Sequence, residues 1–442
     1  MQSRQQSPKA SGTDDSEGTD GIEQVKNVVP QLPQYLHRAV EGFAPQDGFT
    51  VGKFSVTFEL GSNKGDGFVG QLFKAIVTES DRKSEYLCKI PPLDDARREQ
   101  FHSMTAFARE ALVYADILPK IYEYQRAKGL TSPGEGFFHA PRCYHAYCDE
   151  AAQESVILME DLRLRNFQMW NKHNPIDHDH AKLVMEHIGR LHAVSLAMKR
   201  DRPEEFEAYK LSNTLDIYFE AEGPFRNMVL SQMQMAIDAL EEHDHVGRQK
   251  LEALKPNTFR ELKRCSDTKL AEPYSVIRHG DCWSNNIMFR YEDGAPKEMV
   301  LVDWQNVSYV SPAQDIVYFI YSCTDEAFRE RYYFEMIDIY YRSLSATLEK
   351  LQHDANELFP RSALDEQLRQ YGGYGFLMAI FLIPMMCTRN EELPDFEERA
   401  HKMQSTDQQL NESFFSTSES SHDAYTTRMR GVVRDCIRYG YL

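Results

Sequence analysis

The stretch H-G-D-C-W-S-N-N, residues 279–286, decides how this chain is interpreted. It places Asp281 five positions before Asn286, which is the H-x-D-x-x-x-x-N spacing of the catalytic loop in kinases. For a chain with 15 histidines, chance alone gives roughly 0.04 such matches. The pattern indicates phosphoryl transfer if a second metal-binding carboxylate follows it.

The expected second carboxylate is Asp303, near the end of the run M-V-L-V-D-W-Q, residues 299–305. Phosphoryl transfer depends mainly on neutralising phosphate charge, so it needs oxygen ligands for Mg²⁺ beside a carboxylate that faces the acceptor hydroxyl. We predict that Asn286 and Asp303 bind Mg²⁺ and that Asp281 orients the hydroxyl and takes its proton. Capping of turns would explain any one of these residues alone, but it explains the ordered set poorly.

The sequence before this loop has the texture of β-strands. Three apolar segments are separated by polar or glycine-rich breaks: F-S-V-T-F-E-L (54–60), F-V-G-Q-L-F-K-A-I-V-T (68–78) and S-E-Y-L-C-K-I (84–90). They predict two hairpins that make three antiparallel strands. A helical run over 98–118, stopped by Pro119, follows them. Two more strands fit 139–148 and 155–162.

After residue 162 the periodicity becomes mainly helical. The helical segments include 181–198, 328–351 and 371–386, and a β-like interlude covers 275–305. This order predicts an α+β fold with a small antiparallel-sheet N-lobe, a larger mainly helical C-lobe and a cleft between them. We assign residues 45–162 to a nucleotide-binding N-lobe and 163–442 to a C-lobe with the catalytic loop and the acceptor site. Residues 1–24 have few large apolar side chains and are expected to form a disordered tail.

A lysine in the third predicted strand is the candidate phosphate ligand. Lys89 lies between apolar neighbours and shares a strand face with Leu87, so its ammonium leaves a largely buried strand and needs an anion. Glu110, on the following helix, is the natural partner that would hold Lys89 against the α- and β-phosphates of ATP. At Glu110 alone, a solvated glutamate paired with a nearby arginine is an equally good interpretation.

Two further stretches are candidates for nucleotide contacts. The sequence G-D-G-F-V-G (65–70) matches G-x-G-x-x-G but lies between two strands, which disfavours a dinucleotide-binding motif. A hairpin turn whose amides cover phosphates fits this context, and a plain glycine turn fits it about as well. The candidate residues in this turn are Gly65, Asp66 and Gly67. Where the strand V-I-L-M ends, backbone groups between Glu160 and Leu162 are candidates for the adenine edge.

Several conspicuous residues have a structural interpretation that we prefer to a functional one. His192 is expected to be a hydrogen-bonded core histidine, and Asp315 is expected to support the catalytic loop or cap the next helix. The D-H-D-H run at 177–180 looks metal-binding, but adjacent residues at a helix start point in different directions. A set of aromatic residues could line an apolar acceptor pocket, although such a stripe is more often core. These are Tyr321, Tyr332, Tyr333, Phe334, Tyr340 and Tyr341.

Composition excludes several classes of function. Lys and Arg number 50 against 68 Asp and Glu, a net charge of −18, so general binding to nucleic acid or anionic membranes is not expected. The 8 cysteines form no C-x-x-C pair, so neither a zinc site nor a disulfide framework is indicated. No secretory signal is visible, and the longest apolar stretch, near 376–387, contains Pro384 and is too short to span a membrane. We expect a soluble cytoplasmic protein and leave its oligomeric state open.

These motifs resemble those of the ecdysteroid kinase-like family, also called the CHK kinase-like family, which is related to choline kinases and aminoglycoside phosphotransferases. The resemblance covers residues 45–420 in outline. Its most specific segments are H-G-D-C-W-S-N-N-I-M-F (279–289), L-V-D-W-Q (301–305), S-P-A-Q-D-I-V-Y-F (311–319), I-L-M-E-D-L (157–162) and G-S-N-K-G-D (61–66). The chain has Asp-Trp-Gln where the family more often has Asp-Phe-Gln, and Gly67-Phe68 where Asn-Tyr is commoner.

The resemblance implies a two-lobed protein-kinase-like fold and a small-molecule kinase that uses ATP and Mg²⁺. It implies Asp281 as the catalytic base and Asn286 and Asp303 as Mg²⁺ ligands. It also implies that Lys89 binds ATP phosphates with Glu110 as its partner. The best-known activity of the family is ATP-dependent phosphorylation of ecdysteroid hydroxyls, and other members are associated with plant or foreign alcohols.

The acceptor is therefore expected to be a small apolar alcohol, either an ecdysteroid-like steroid or a xenobiotic. Trp283 in the catalytic loop supports this expectation, since its indole could border an apolar ring system. A choline or ethanolamine kinase is the alternative, because aromatic and acidic residues can form a cage for a cation. Such residues are Asp216, Tyr218, Phe219 and Glu220.

Two other activities are weighed against a small-molecule kinase. A pseudokinase that binds a ligand without turnover commonly lacks one of the residues of the catalytic set, whereas this chain has Lys89, Asp281, Asn286 and Asp303. A protein kinase needs a long docking segment after the metal-binding aspartate, and the stretch from Asp303 to Asp315 is too short for one.

Overall fold

The structure is a computed structural model of the chain. It describes residues 30–61, 70–217, 224–389, 392, 398, 401 and 418–442. Several sequence predictions lie outside the described residues. They are the tail at 1–24, the glycine-turn candidates Gly65, Asp66 and Gly67, and the cage candidates Tyr218, Phe219 and Glu220.

The N-terminal part of the chain forms one antiparallel sheet. Its strands are β1 (Ser55–Leu60), β2 (Gln71–Glu79), β3 (Arg82–Ile90), β4 (Cys143–Asp149) and β5 (Glu154–Met159). They lie in the order β1-β2-β3-β5-β4, and every neighbouring pair is antiparallel. The five predicted strands are confirmed, with their ends shifted by a few residues.

A helix near the start of the described chain, α1 (Gln34–Phe43), covers one face of this sheet. Its buried Val40 belongs to the same core cluster as Tyr86 and Cys88 of β3. Because side chains alternate along a strand, Lys89 points to the opposite face of the sheet. The sheet and its packed helix therefore include residues before position 45.

The helical run predicted over 98–118 differs from the structure. The chain forms α2 (Asp95–Gln100), α3 (Ser103–Leu112) and α4 (Leu118–Ala127), with a π-helical turn at Val113–Ile117. Pro119 does not stop the helix, because the π-helical turn directly before it widens the backbone at the position where proline donates no hydrogen bond. The wider turn before it lets the N–H of Leu118 bond to the carbonyl of Val113, so the helix continues to Ala127.

The C-terminal part is larger and mainly helical. Its helices are α5 (His178–Asp201), α6 (Pro203–Phe206), α7 (Pro224–Asp238), α8 (His245–Leu254), α9 (Thr258–Ser266), α10 (Ala313–Cys323), α11 (Glu326–Lys350), α12 (Ala355–Leu358), α13 (Arg361–Tyr371), α14 (Gly373–Cys387) and α15 (Glu419–Arg438). Helix α11 packs along α5, and α10 packs against α14. The predicted α+β fold, with a small antiparallel sheet and a larger helical part, is confirmed.

None of the helices described here is both long enough and apolar enough to cross a membrane by itself. One bent pair, Ala355–Tyr371 with α14, reaches that length and hydropathy only when its two members are taken together.

Two small sheets fix the position of the loop 279–286. They contain β6 (Phe167–Met169), β7 (Val276–Arg278), β8 (Ile287–Glu292), β9 (Ala295–Leu301) and β10 (Ser308–Val310). Strand β7 pairs with β10, and β8 pairs with both β6 and β9. The loop runs from the end of β7 to the start of β8, and Asp303 follows the end of β9. Both segments of the predicted site therefore leave the ends of hydrogen-bonded strands.

Candidate active site

Lys89, on β3, is the centre of a buried ion cluster between the two parts of the fold. Its Nζ lies 2.7 Å from Glu110 Oε2 and 2.8 Å from Asp303 Oδ1. Burial lowers the pKa of Lys89, but the Asp303 and Glu110 carboxylates outweigh this effect and raise the pKa, so the lysine stays charged. The expected contact between Lys89 and Glu110 is present.

Glu110, on α3, is buried and uses both carboxylate oxygens. Only 1% of its surface is exposed, which excludes the solvated glutamate considered from the sequence. While Oε2 accepts from Lys89, Oε1 accepts a hydrogen bond from the backbone N–H of Trp304 at 3.3 Å. Burial raises the pKa of Glu110, and the ammonium of Lys89 opposes that rise. Glu110 therefore joins the lysine to the segment that follows β9.

Asp303 has a left-handed backbone conformation, with φ at 64°. This conformation is costly for residues other than glycine, although aspartate tolerates it better than most. It turns the chain sharply after β9, and Trp304 anchors the turn by donating from its indole N–H to the carbonyl of Leu301 at 3.0 Å. The turn places the Asp303 carboxylate beside Lys89 while leaving 28% of that side chain exposed.

The Asp281 carboxylate receives one hydrogen bond on each oxygen. Tyr318 donates its hydroxyl to Oδ1 at 2.5 Å, and Asn286 donates from Nδ2 to Oδ2 at 2.9 Å. Burial, with the nearby negative charge of Asp303, raises the pKa of Asp281 to about 7. The structure thus brings Asp281, Asn286 and Asp303 into one electrostatically coupled group with Lys89.

Asp315, in the first turn of α10, supports the loop from behind. Its carboxylate accepts hydrogen bonds from the backbone N–H of His279 at 2.8 Å and of Gly280 at 3.0 Å. Gly280 has φ at 86°, and a Cβ there would lie 2.0 Å from the carbonyl oxygen of Asn306. Only glycine fits this position. The predicted supporting role of Asp315 is confirmed.

His279 links the loop to the segment that carries Asp303. Its Nε2 lies 3.1 Å from the carbonyl oxygen of Val302, and its Nδ1 accepts from the backbone N–H of Asp281 at 3.3 Å. Burial lowers the pKa of His279, so we assign the neutral ring with the proton on Nε2. The histidine of the H-x-D motif therefore has a positioning contact on each side of its ring.

The oxygen atoms of Asn286 and Asp303 fit a divalent cation of the Mg²⁺ type. The Asn286 amide nitrogen is occupied by two bonds to Asp281, one to the backbone carbonyl at 3.0 Å and one to the carboxylate, so its oxygen is the atom left for a metal. Asp303 uses Oδ1 for Lys89, which leaves Oδ2. The described residues contain no cluster of three or more His, Cys, Asp or Glu side chains suited to a metal. Two protein oxygens completed by water and phosphate are the usual coordination of Mg²⁺.

The segment between the lobes begins where β5 ends. The N–H of Glu160 is used by the backbone, since it donates to the carbonyl of Arg142 at 2.9 Å. Arg163 binds the Asp161 carboxylate through two nitrogens at 2.7 Å and donates to the carbonyl of Gly61 at 2.8 Å. This arginine thus connects the segment to the residue that leads into the glycine-rich stretch. Among the described residues, no partner is found for the N–H of Leu162.

The residues given a structural interpretation from the sequence lie in the core or at a cap. His192 is fully buried, with Nδ1 2.9 Å from the Tyr340 hydroxyl and Nε2 3.4 Å from Asp315. Asp177 is the N-cap of α5 and accepts from the N–H of His180. Among the aromatic candidates, Tyr321, Tyr333 and Tyr340 are buried in the main core, whereas Phe334 is exposed.

One argument for an apolar acceptor is wrong in its structural detail. Trp283 is only 5% exposed and belongs to the main hydrophobic core, so its indole does not offer a surface to a substrate ring. The reason is that a large apolar side chain gains more from burial in the core than from exposure in a loop.

Two residues of the site were not found by sequence reasoning. Tyr318 contacts Asp281. The sequence could have indicated this contact, because Tyr318 follows Asp315 by three residues and therefore shares its helix face. Arg109, next to Glu110, donates to the carbonyl of Ser212 at 2.8 Å and to that of Val307, so it fixes α3 to the larger lobe.

A groove of about 460 Å³ lies between α5 and α11 and contains none of the predicted site residues. Its walls carry charges of both signs, such as Lys182, Glu186, Arg190 and Glu335. It is therefore separate from the ion cluster around Lys89.

The profile of the ecdysteroid kinase-like family matches residues 64–353, which is more than half of the chain. The chain therefore belongs to the ecdysteroid kinase-like family. Family membership, with the ion cluster inside the matched span, places the protein among small-molecule phosphotransferases. No curated protein matches the chain.

Solved structures with a distant likeness include an ethanolamine kinase from Plasmodium vivax, with 14% identity over 92% of this chain and 90% of that one, at a TM-score of 0.37. The GDP complex of a mutant aminoglycoside 2′-phosphotransferase-IIIa has 11% identity over 83% of this chain and 95% of that one, at a TM-score of 0.40. A likeness at this level says nothing about the acceptor of this chain.

Proposed function

We propose that the protein is an ATP-dependent kinase that phosphorylates a hydroxyl of a small apolar alcohol, of the ecdysteroid-like or xenobiotic type. The observation that carries this proposal is the contact of Lys89 with both Glu110 and Asp303, because it joins a candidate phosphate ligand of the sheet to a candidate metal ligand of the larger lobe. A structural role alone would not require a buried, charged lysine beside an aspartate in a left-handed backbone conformation.

ATP would lie between the sheet and the larger lobe. Lys89 would bind its α- and β-phosphates, with Glu110 holding the ammonium in place. The backbone carbonyl of Glu160 and the N–H of Leu162 would meet the donor and acceptor atoms of the adenine edge. The backbone amides of Gly65, Asp66 and Gly67 would contact the phosphates, as the sequence predicts.

Asn286 Oδ1 and Asp303 Oδ2 would hold Mg²⁺. When bound, the ion would neutralise charge on the phosphate oxygens, which is the main need of phosphoryl transfer. Lys89, which already contacts Asp303, would set the position of that carboxylate relative to the phosphates.

Asp281 would orient the acceptor hydroxyl and take its proton. In the transfer step the acceptor O–H bond breaks toward the Asp281 carboxylate, and the acceptor oxygen forms a bond to the γ-phosphorus. The bond from that phosphorus to the β–γ bridging oxygen breaks with its electron pair, and ADP leaves. A pKa of Asp281 raised by burial is in keeping with a group that holds a proton for part of the cycle.

The choice of an apolar alcohol rests on family membership. The test is competition between acceptors at equal concentration, with the full chain, Mg²⁺ and ATP, and products identified by mass spectrometry. We expect the highest kcat/KM for a steroid or phenolic alcohol. A kcat/KM for choline or ethanolamine well above that of every apolar alcohol would reject this acceptor class and favour the cation-binding alternative.

A further inference from the structure

Helix α10 contacts three consecutive residues of the loop through one of its faces. Asp315 accepts from the backbone N–H groups of His279 and Gly280. Tyr318 lies three residues later, on the same face, and its hydroxyl reaches the side chain of the next loop residue, Asp281. The same face of the helix thus holds the loop backbone and one oxygen of the candidate proton acceptor.

The Tyr318 hydroxyl is suited to remain protonated and to donate its hydrogen bond to Asp281 at all times. The residue is only 2% exposed, and burial raises the pKa of Tyr318 well above its usual value, with the Asp281 charge adding to the rise. All residues of α10 are buried, so the ring has no room to swing away. The hydroxyl lies within hydrogen-bond distance of Asp281 Oδ1, and a bond from a hydroxyl to a carboxylate is charge-assisted.

The contact restricts the one soft torsion of Asp281. Rotation of a carboxylate about its last bond has broad minima, so a single hydrogen bond leaves its plane loosely defined. Here Tyr318 holds Oδ1 and Asn286 holds Oδ2, so the plane of the carboxylate is fixed from both sides. Each oxygen keeps a second lone pair, which leaves room for the acceptor hydroxyl.

We propose that Tyr318 is a positioning residue for Asp281, an inference that rests on the phosphotransferase function proposed above. Tyr318 keeps its own proton throughout the cycle and touches neither phosphate nor acceptor. Its effect is to hold the Asp281 carboxylate in the orientation in which the acceptor O–H bond breaks toward it. Small displacements of a proton acceptor are costly because transfer needs hydrogen-bond reach and alignment.

The first test is Tyr318→Phe, which removes one oxygen atom and keeps the packed ring. The matched control is Tyr321→Phe, on the same helix and equally buried, whose ring lies beside Tyr441 instead of the loop. We expect kcat to fall about 10- to 100-fold in Tyr318→Phe, with the KM for ATP and the melting temperature close to those of the parent. Tyr321→Phe should match the parent in kcat and in KM.

The second test combines Tyr318→Phe with Asp281→Asn. Because the tyrosine acts through the aspartate, the double variant should have the kcat of Asp281→Asn alone. The inference is overturned if the parent is active and Tyr318→Phe has a kcat within twofold of it. It is also overturned if a smaller folded fraction explains the lower kcat of Tyr318→Phe, or if the kcat losses of Tyr318→Phe and Asp281→Asn multiply in the double variant. A parent that transfers phosphate to no alcohol overturns the proposed function, and the role of Tyr318 falls with it.

Discussion

The carboxylate of Glu110 accepts a hydrogen bond from the backbone N–H of Trp304, a residue 194 positions later in the chain. Its other oxygen accepts from Lys89. One buried side chain therefore fixes the strand lysine to the turn that presents Asp303. The ion cluster forms only when the sheet and the larger lobe are folded against each other. Because ATP is proposed to bind between these two parts, replacement of a cluster member should change the affinity for nucleotide.

Replacement of Lys89 tests the phosphate side of the site. Lys89→Met leaves the Glu110 and Asp303 carboxylates without their cation, and it removes the proposed phosphate contact. We expect the Kd for Mg·ATP, measured by calorimetry, to rise at least about tenfold. The matched control is Lys74→Met on β2, whose ammonium pairs with Glu85 at 2.8 Å away from the cluster. An unchanged Kd in Lys89→Met would contradict this assignment.

Asp303 and Asp281 should be separable by experiment. Asp303→Ala removes a proposed metal ligand, so it should weaken binding of ATP in the presence of Mg²⁺ and have little effect in its absence. Asp281→Asn should bind ATP normally and lower kcat about 10²- to 10⁴-fold. Calorimetry with and without Mg²⁺, together with a turnover assay, checks both. The assignment is wrong if Asp281→Asn weakens ATP binding as much as Asp303→Ala and leaves kcat at saturation unchanged.

Gly280 should be irreplaceable for steric reasons. Gly280→Ala would force a Cβ to within 2.0 Å of the Asn306 carbonyl oxygen, so the loop must move away from its support on Asp315. We expect loss of most of the kcat and a lower melting temperature. Gly294→Ala is the control, because Gly294 also has a positive φ, 77°, but no atom within 4 Å of the added Cβ. It should cost only about 1 kcal/mol of stability and leave kcat unchanged. Equal effects of the two variants would contradict the steric explanation.

Much of this site is predictable from the sequence because its information is local. The alternation of side chains along β3 predicted the face of the strand to which Lys89 points. The spacing of the motif predicted that Asp281 lies near Asn286. The support of the loop by Asp315 was also predictable, since a buried aspartate at a helix start needs backbone donors.

The other features depend on packing that no local pattern encodes. The continuation of the helix past Pro119 requires a π-helical turn, which the apolar periodicity does not reveal. Burial of Trp283 and the contact of Tyr318 with Asp281 are set by how the loop meets α10. The anchor of Arg109 on Val307 joins residues far apart in the chain, and a single sequence offers no signal for it.

A buried histidine pair should make the protein sensitive to acid. His187 and His139 lie with ring centroids 3.8 Å apart, and burial, with Arg190 nearby, lowers the pKa of His187 to about 3. Between the unfolded pKa of about 6.5 and that lower value, the unfolded chain binds a proton that the folded chain does not. Stability should therefore fall as the pH drops below 6.5, by up to about 1.4 kcal/mol per pH unit from this group.

His187→Leu should reduce the loss of stability that occurs as the pH falls below 6.5. We expect the melting temperature to fall less between pH 7 and pH 5 in His187→Leu than in the parent. The control is His243→Gln, since His243 is largely exposed. A variant whose melting temperature falls with acid as steeply as that of the parent would show that His187 does not cause the sensitivity.

Lys89, Asp281, Asn286 and Asp303 form the set that we propose transfers the γ-phosphoryl group of ATP to an alcohol. The most direct measurement incubates the full chain with Mg²⁺, ATP labelled in the γ-phosphate and a panel of steroid and phenolic alcohols, beside Asp281→Asn as the matched control. We expect a labelled phosphate ester of at least one alcohol with the parent, and a rate lower by orders of magnitude with Asp281→Asn. A parent that binds ATP yet labels no alcohol, or an Asp281→Asn variant that labels one at the parental rate, would contradict it.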